Sequence, residues 1–267
     1  MASPSLRSIH FACVVLASGI AAWSCPAAVG QGGTSAPAVH RQPVLVELFT
    51  SEGCSDCPPA DALLAQLDQQ QFVPGAEAIV LSEHVTYWNH QGWRDPFSFD
   101  LIDQRQQQYA RKFMLSDVYT PQMVVDGAEQ FVGSNAAKLQ VAVAKEAAKP
   151  KLDVQIAGAH IAPDGPVSFT VQLPAGAKGT LVAAVAENAT VSEVSRGENA
   201  GRTLHHVAVV RAMKEFNAKQ AASDRAFTLS GADLVSAEKA GTPLRLVVFL
   251  VSGSGHVLGA AEETLHP

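Results

Sequence analysis

The chain has 267 residues, 47% of them hydrophobic, with 19 Lys and Arg against 25 Asp and Glu and a formal net charge of -6. Nucleic-acid binders usually carry a basic face, and an acidic balance gives none, so nucleic acid is set aside as a partner. The length and apolar content suffice for a core in each of two domains, and two domains behind a short leader are the working division.

Arg7 precedes an uncharged stretch from Ile9 to Trp23, and small residues follow at Ala27, Ala28 and Gly30. That is the three-part pattern of a secretory signal, and its apolar stretch is shorter than the roughly 20 residues of a membrane span. Residues 1–30 are therefore read as a signal peptide cleaved between Ser24 and Gly30, and residues 31–42 as a Gly/Ala/Pro linker. Cys25 raises a lipoprotein alternative, but Trp23 stands where a lipobox takes small residues. The expectation is an exported protein, periplasmic or secreted, that meets the membrane only through its signal and keeps Cys54 and Cys57 after Cys13 and Cys25 are removed.

From residue 43 to 150 strand and helix signals alternate. Val44 to Phe49 is an apolar strand, and Ala60, Leu63, Leu64 and Leu67 recur on one helical face. Ala78 to Ser82 is a second buried strand, and the polar stretch Ile102 to Arg111 has helical composition. Val118 to Gly127 reads as a strand ending in an Asp-Gly turn, Glu129 to Val132 as its antiparallel partner, and Ala136 to Lys149 as an Ala-rich helix stopped by Pro150.

Between the first strand and helix stands Ser51-Glu52-Gly53-Cys54-Ser55-Asp56-Cys57-Pro58-Pro59. Two cysteines separated by two residues reach each other across one turn, and backbone N–H groups at a helix start favour a thiolate. The first thiol, facing solvent, can attack a disulfide, and the second can resolve the mixed disulfide. Cys54 is assigned as nucleophile and Cys57 as resolving thiol, with the disulfide itself the redox group and no other cofactor. A zinc site needs about four ligands, which the pair cannot supply without histidines. A residue before proline avoids the helical region, so Pro58 and Pro59 delay the expected helix start to Pro59 or beyond. Asp56 is read as a tuning group: at about 6 Å and an effective dielectric of roughly 20 it repels a thiolate by about 3 kcal/mol. A less stable thiolate favours the disulfide and points to a reductant or isomerase.

The β-α-β-α-β-β-α order and the cysteine pair resemble the thioredoxin fold. The resemblance implies that Thr120-Pro121 is a cis-proline loop opposite the cysteines that positions an extended substrate. The strings Leu48-Phe49-Thr50-Ser51-Glu52-Gly53-Cys54, Cys57-Pro58-Pro59-Ala60-Asp61, Tyr87-Trp88-Asn89, Gly92-Trp93-Arg94-Asp95-Pro96-Phe97, Tyr119-Thr120-Pro121-Gln122 and Arg196 to Leu204 are similar to a bacterial exported family known as domain of unknown function 1223. That similarity implies a thioredoxin-like domain and export, without a settled activity.

Glu83 to Phe99 gathers His84, Tyr87, Trp88, His90, Trp93, Arg94, Asp95 and Phe97 into one irregular loop, where scaffolded binding groups often sit. Trp88, Trp93, Arg94 and Asp95 are the candidate binding residues; in the bland alternative the aromatics cap the core and Arg94 pairs with Asp95. From residue 151 to 267 the pattern changes to alternation. Leu152, Val154, Ile156 and Val167, Phe169, Val171, Leu173 are followed by strand candidates at Leu181 to Ala186, His205 to Val210 and Leu244 to Val251, which read as a small β-sandwich. His205 and His206 start a strand and point to opposite faces.

The combined expectation is an α/β thioredoxin-like domain, a mixed sheet flanked by helices, followed by a small all-β sandwich-like domain. The expected activity is thiol–disulfide exchange on protein or small-molecule thiols and disulfides, with an electron-donor partner if it acts as a reductant. Two alternatives use the same residues: copper binding or delivery through Cys54, Cys57 and His84, since soft thiolates suit Cu(I), and a non-catalytic binding module.

Overall fold

Strand β1 (Gln42–Thr50) is buried from Val44 to Thr50, the mark of a central strand. It pairs in parallel with β2 (Ala76–His84) and antiparallel with β3 (Gln122–Val125), which turns through Asp126 and Gly127 into β4 (Glu129–Val132). The computed structural model describes residues 41–162, 165–219, 226–230 and 243–265. The expected signal peptide and most of the linker, with Cys13 and Cys25, lie outside the described residues.

Helix α1 (Pro58–Gln70) buries Ala60, Leu63, Leu64 and Leu67, the face its apolar spacing marks. Helix α2 (Asp100–Lys112) buries Ile102, Arg105, Gln106 and Tyr109, and α3 (Ala136–Ala147) starts where the Asn135 side chain accepts the Lys138 N–H at 3.0 Å. Because neighbouring strand residues point to opposite faces, β1 sorts the helices. Leu48 meets Ala60 of α1 and Pro121 around Gly133, whereas Glu47 reaches Arg105 and Tyr109 of α2.

The C-terminal segment contributes β5 (Gln155–Ile161), β6 (Val167–Gln172), β7 (Thr180–Glu193), β8 (Thr203–Asn217), β9 (Phe227–Leu229), β10 (Leu244–Val251) and β11 (Val257–Leu265). They do not all form a sheet of their own. Strand β8 joins β2 in parallel, with Ser82 opposite Val209, giving one eight-stranded mixed sheet in the order β11-β10-β7-β8-β2-β1-β3-β4. Only β5, β6 and β9 form a separate small antiparallel sheet. A second core fills the space between it and β7, β8 and β10, built from Val167, Phe169, Leu181, Val185, Phe227 and Leu246 among others. The boundary expected at residue 150 thus falls between α3 and β5, and the parts on either side share the main sheet. The junction is pinned where Lys151 pairs with Asp126 at 2.6 Å while Leu45 N–H donates to the same carboxylate at 2.9 Å. Among the described residues no helix is long and apolar enough to cross a membrane.

A buried charge cluster fastens α2 to the sheet. Arg105 pairs with Glu47 and lies 3.6 Å from Glu83, Tyr109 O–H donates to Glu47, and the guanidinium sits over the Phe249 ring at 5.1 Å. Burial first, then the Glu47 carboxylate, holds Glu83 well above the ordinary carboxylate range. Removing the Arg105 guanidinium leaves the buried Glu47 carboxylate without its ion-pair partner. Arg105→Met is therefore expected to cost about 3–5 kcal/mol in urea unfolding, and a loss below about 1 kcal/mol would show that the cluster does not anchor α2.

Candidate active site

The cysteines occupy the turn between β1 and α1 and are joined by a disulfide with a Cα–Cα distance of 5.4 Å. The turn is built from backbone bonds: Cys54 N–H donates to Ser51 O at 3.1 Å and Cys57 N–H to Cys54 O at 3.3 Å. Cys57 is the N-cap of α1 and keeps a helical conformation, φ -78 and ψ -38, although a proline follows. The helix therefore begins at Pro58, a residue earlier than the double proline suggests. Both prolines sit in the first turn, where a missing N–H costs nothing, and Cys57 O accepts from Ala60 and Asp61. The cysteine turn thus abuts the helix N-terminus directly.

Cys54 is not the exposed residue that the spacing predicts: it is 2% exposed and Cys57 is fully buried, while Ser55 and Asp56 between them face solvent. The reason lies in chain that local sequence does not connect to the motif. Asn199, in the turn between β7 and β8, donates its amide to both Glu52 O and Cys54 O at 2.9 Å, and Arg202 holds the Asn199 side-chain oxygen at 3.0 Å. At the rim Ser55 N–H donates to the Glu198 carboxylate at 3.1 Å. Gly197 packs against Trp93, where a Cβ would lie 3.1 Å from the Trp93 Cβ, and its φ of +77 suits glycine.

The loop after β2 closes another side. Trp88 Cβ lies so near Gly53 that an added methyl there would approach it to 3.0 Å, and its indole N–H donates to Thr120 Oγ1 at 2.8 Å. Trp88 thus bridges the cysteine turn and the Thr120-Pro121 peptide, which is cis as the motif resemblance implies. Trp93 donates its indole N–H to Glu52 Oε2 at 2.7 Å. Asp95 is buried and accepts from Glu52 N–H and Phe97 N–H while it pairs with His84 Nδ1 at 2.7 Å, so its partner is His84 and not the neighbouring Arg94. Burial would raise the Asp95 carboxyl, but His84 and the two backbone donors hold it below its ordinary value. Arg94 is exposed, in an open depression of about 560 Å³ that it lines with His90, Asn89 and Asp100.

Beneath the turn lies a group that sequence reading did not assemble. His206, from β8, is buried with its Nε2 3.6 Å from Glu52 and its Nδ1 3.7 Å from Asp61, and Asp61 also accepts the Thr50 hydroxyl at 2.9 Å. Burial alone would lower the His206 pKa, but the facing carboxylates of Asp61 and Glu52 outweigh it and push it up to about 10. Asp56, the expected tuning group, is exposed, where water screens its charge; the carboxylates shielded from water beside the cysteines are Glu52 and Asp61. His84, the expected third copper ligand, has Nδ1 on Asp95 and Nε2 3.3 Å from Ser82 Oγ. Among the described residues no three His, Cys, Asp or Glu side chains are grouped to hold a metal. Sequence could have signalled the His206 site in one way only, through a histidine on the inward face of a strand otherwise rich in apolar residues.

Two outcomes follow from this shell. Asn199→Ala removes a donor shared by two buried carbonyls, at about 1–3 kcal/mol of stability, and should speed reduction of the disulfide by dithiothreitol; an unchanged rate would show that the loop does not restrict access. His206, with a folded pKa of about 10 against an unfolded value of about 6.5, contributes stability that is complete below pH about 6.5 and is lost as pH rises through 10. The gap in unfolding midpoint between the unsubstituted protein and His206→Gln should therefore narrow from pH 6 to pH 10. A gap constant over that range would mean that His206 is not held as a cation.

Comparison with known proteins gives the fold a counterpart. A crystal structure of a protein from Agrobacterium tumefaciens, determined as a structural-genomics target, matches with a TM-score of 0.56 and 24% identity over 83% of this chain and 93% of that one. At that identity the likeness concerns the fold alone. No curated protein matches. The family model described as protein of unknown function DUF1223 matches residues 45–250, most of the chain, and the protein belongs to that family.

Proposed function

We propose that this protein is an exported thiol–disulfide oxidoreductase of the reductant or isomerase type, in which Cys54 attacks and Cys57 resolves. The observation that carries the reading is the Cys54–Cys57 disulfide at the junction of a central strand and a helix N-cap, linked through Trp88 to the cis Thr120-Pro121 peptide. The strand and helix order around it is read as thioredoxin-like, and the packing of the three-stranded sheet on β7, β8 and β10 as the sandwich-like part.

The chemistry is a pair of exchanges. Cys54 as thiolate attacks a substrate disulfide, forming a bond to one substrate sulfur and releasing the other as thiolate, which takes up a proton. Cys57 then loses its proton and attacks Cys54 Sγ, which re-forms the intramolecular disulfide and releases the second substrate thiol, so two electrons pass to the substrate. A dithiol partner must reduce the pair again. One feature supports the reductant side: Glu52 and Asp61 place buried negative charge in the shell of the turn, which disfavours thiolate. Thr120 and Pro121 would align an extended substrate, with Trp88 setting their distance from the turn.

The test is trapping. Cys57→Ser should accumulate covalent complexes several-fold above Cys54→Ser in the export compartment, seen on non-reducing gels and lost with reductant. Equal trapping by Cys54→Ser would reverse the assignment of the two thiols. Absence of trapping together with tight, stoichiometric Cu(I) binding by the reduced protein would replace thiol exchange with metal delivery.

A further inference from the structure

We propose that His206 is the counter-charge that sets the reduction potential of the Cys54–Cys57 pair, a tuning role for the C-terminal half of the chain that rests on the thiol–disulfide reading above. The geometry is unlike that of a histidine buried for packing. Such a ring ordinarily has each polar nitrogen hydrogen-bonded. Here neither His206 nitrogen has a hydrogen-bond partner among the described residues, and each instead faces a carboxylate, Glu52 at 3.6 Å and Asp61 at 3.7 Å. Glu52 Oε1 likewise has no hydrogen-bond partner among the described residues and faces the imidazole. A buried carboxylate oxygen without a donor is tolerated when a cation stands beside it.

The two carboxylates are tied to the two cysteines. Glu52 precedes Cys54 by two residues, and one Asn199 amide clamps the carbonyls of both. Asp61 lies one helical turn beyond Cys57 and donates its backbone N–H to Cys57 O at 3.1 Å. The remaining groups around the imidazole are His84, edge-to-face at 4.7 Å and paired with Asp95, and Phe97 at 6.1 Å, whose ring carries Arg211 at 5.0 Å. His206 is the group that stands between the Glu52 and Asp61 carboxylates. An imidazolium there stabilises a thiolate in the reduced pair, and with it the dithiol state; Glu52 and Asp61 act in the opposite sense.

Glutathione buffers provide the probe. The protein disulfide and two glutathione thiols give the protein dithiol and one glutathione disulfide: the Cys54–Cys57 bond breaks, one S–S bond forms, and the two thiol hydrogens pass to the cysteines. In the full-length exported protein, His206→Gln should reduce the equilibrium constant for forming the dithiol about tenfold, a potential about 30 mV more negative. Glu52→Gln and Asp61→Asn should each raise it at least threefold, and His206→Gln with Glu52→Gln should fall between the two single variants. Ultraviolet thiolate absorbance should show the Cys54 pKa moving up in the first variant and down in the next two. The opposed signs separate charge from packing, because damage to the turn would move all variants the same way. If His206→Gln does not fold, Glu52→Gln and Asp61→Asn still decide the question, since each removes the other sign of charge. Shifts of one sign, or none beyond twofold in a protein that does exchange with glutathione, would overturn the role of His206 alone. A protein that does not exchange with glutathione at all would remove the thiol–disulfide reading and this inference with it.

Discussion

The pairing of β8 with β2 is the contact on which the site depends. It is short, with Ser82 opposite Val209, yet it decides that the β7–β8 hairpin extends the first sheet rather than standing apart. Once β8 lies there, alternation along the strand sends His206 inward while His205 faces solvent, and it brings the turn after β7 against the cysteines. Asn199 and Glu198 then bond to a segment more than 140 residues away in the chain. Neither the burial of Cys54 nor the environment of Glu52 arises from the strand–turn–helix unit alone.

The first half of the fold was legible because its signals are local. An apolar run, a helical repeat at Ala60, Leu63, Leu64 and Leu67, and an Asp-Gly turn each act within a few residues, and β1, α1 and the β3–β4 hairpin follow. The second half was legible as strands but not as sheets, since period-two alternation says that a strand has two faces without saying which partner lies beside it. One clue existed: Leu181 to Ala186 is apolar without alternation, as expected of a strand covered on both faces, and β7 is such an interior strand. Strand β11 was missed because Gly259, Ala260, Ala261 and paired glutamates have low strand propensity and are held by pairing to β10. Strand β9 spans three residues, too short for any periodic signal.

For the site, the residues named from the motif are where the motif places them, but their roles are divided differently. Trp88, Trp93 and Asp95 were chosen as a surface that meets ligand. Their polar atoms are committed to Thr120, Glu52, His84 and the backbone, so they build the wall of the cysteine turn; Asp95 is buried, Trp88 and Trp93 are half-buried and Arg94 is exposed. The same loop composition serves architecture: a concentration of Trp, Asp and His near a motif is what a buried polar shell also requires.

That shell has an uneven strength that bears on how a sulfur could be reached. Asn199 is fully buried, and breaking its two bonds leaves buried backbone carbonyls unpaired, at about 1–3 kcal/mol. The Glu198 bond to Ser55 N–H is at the solvent edge, where water substitutes for either partner at little cost. Gly197 and Gly201 flank these residues in conformations that favour glycine. The Glu198 bond is therefore the less costly of the two to break, and its loss leaves both Asn199 bonds in place. The exposed pair Ser55 and Asp56 lies on the side of the Glu198 bond, whereas Glu52, Asp61 and His206 are buried, so solvent meets the turn at its rim and not at its charge cluster.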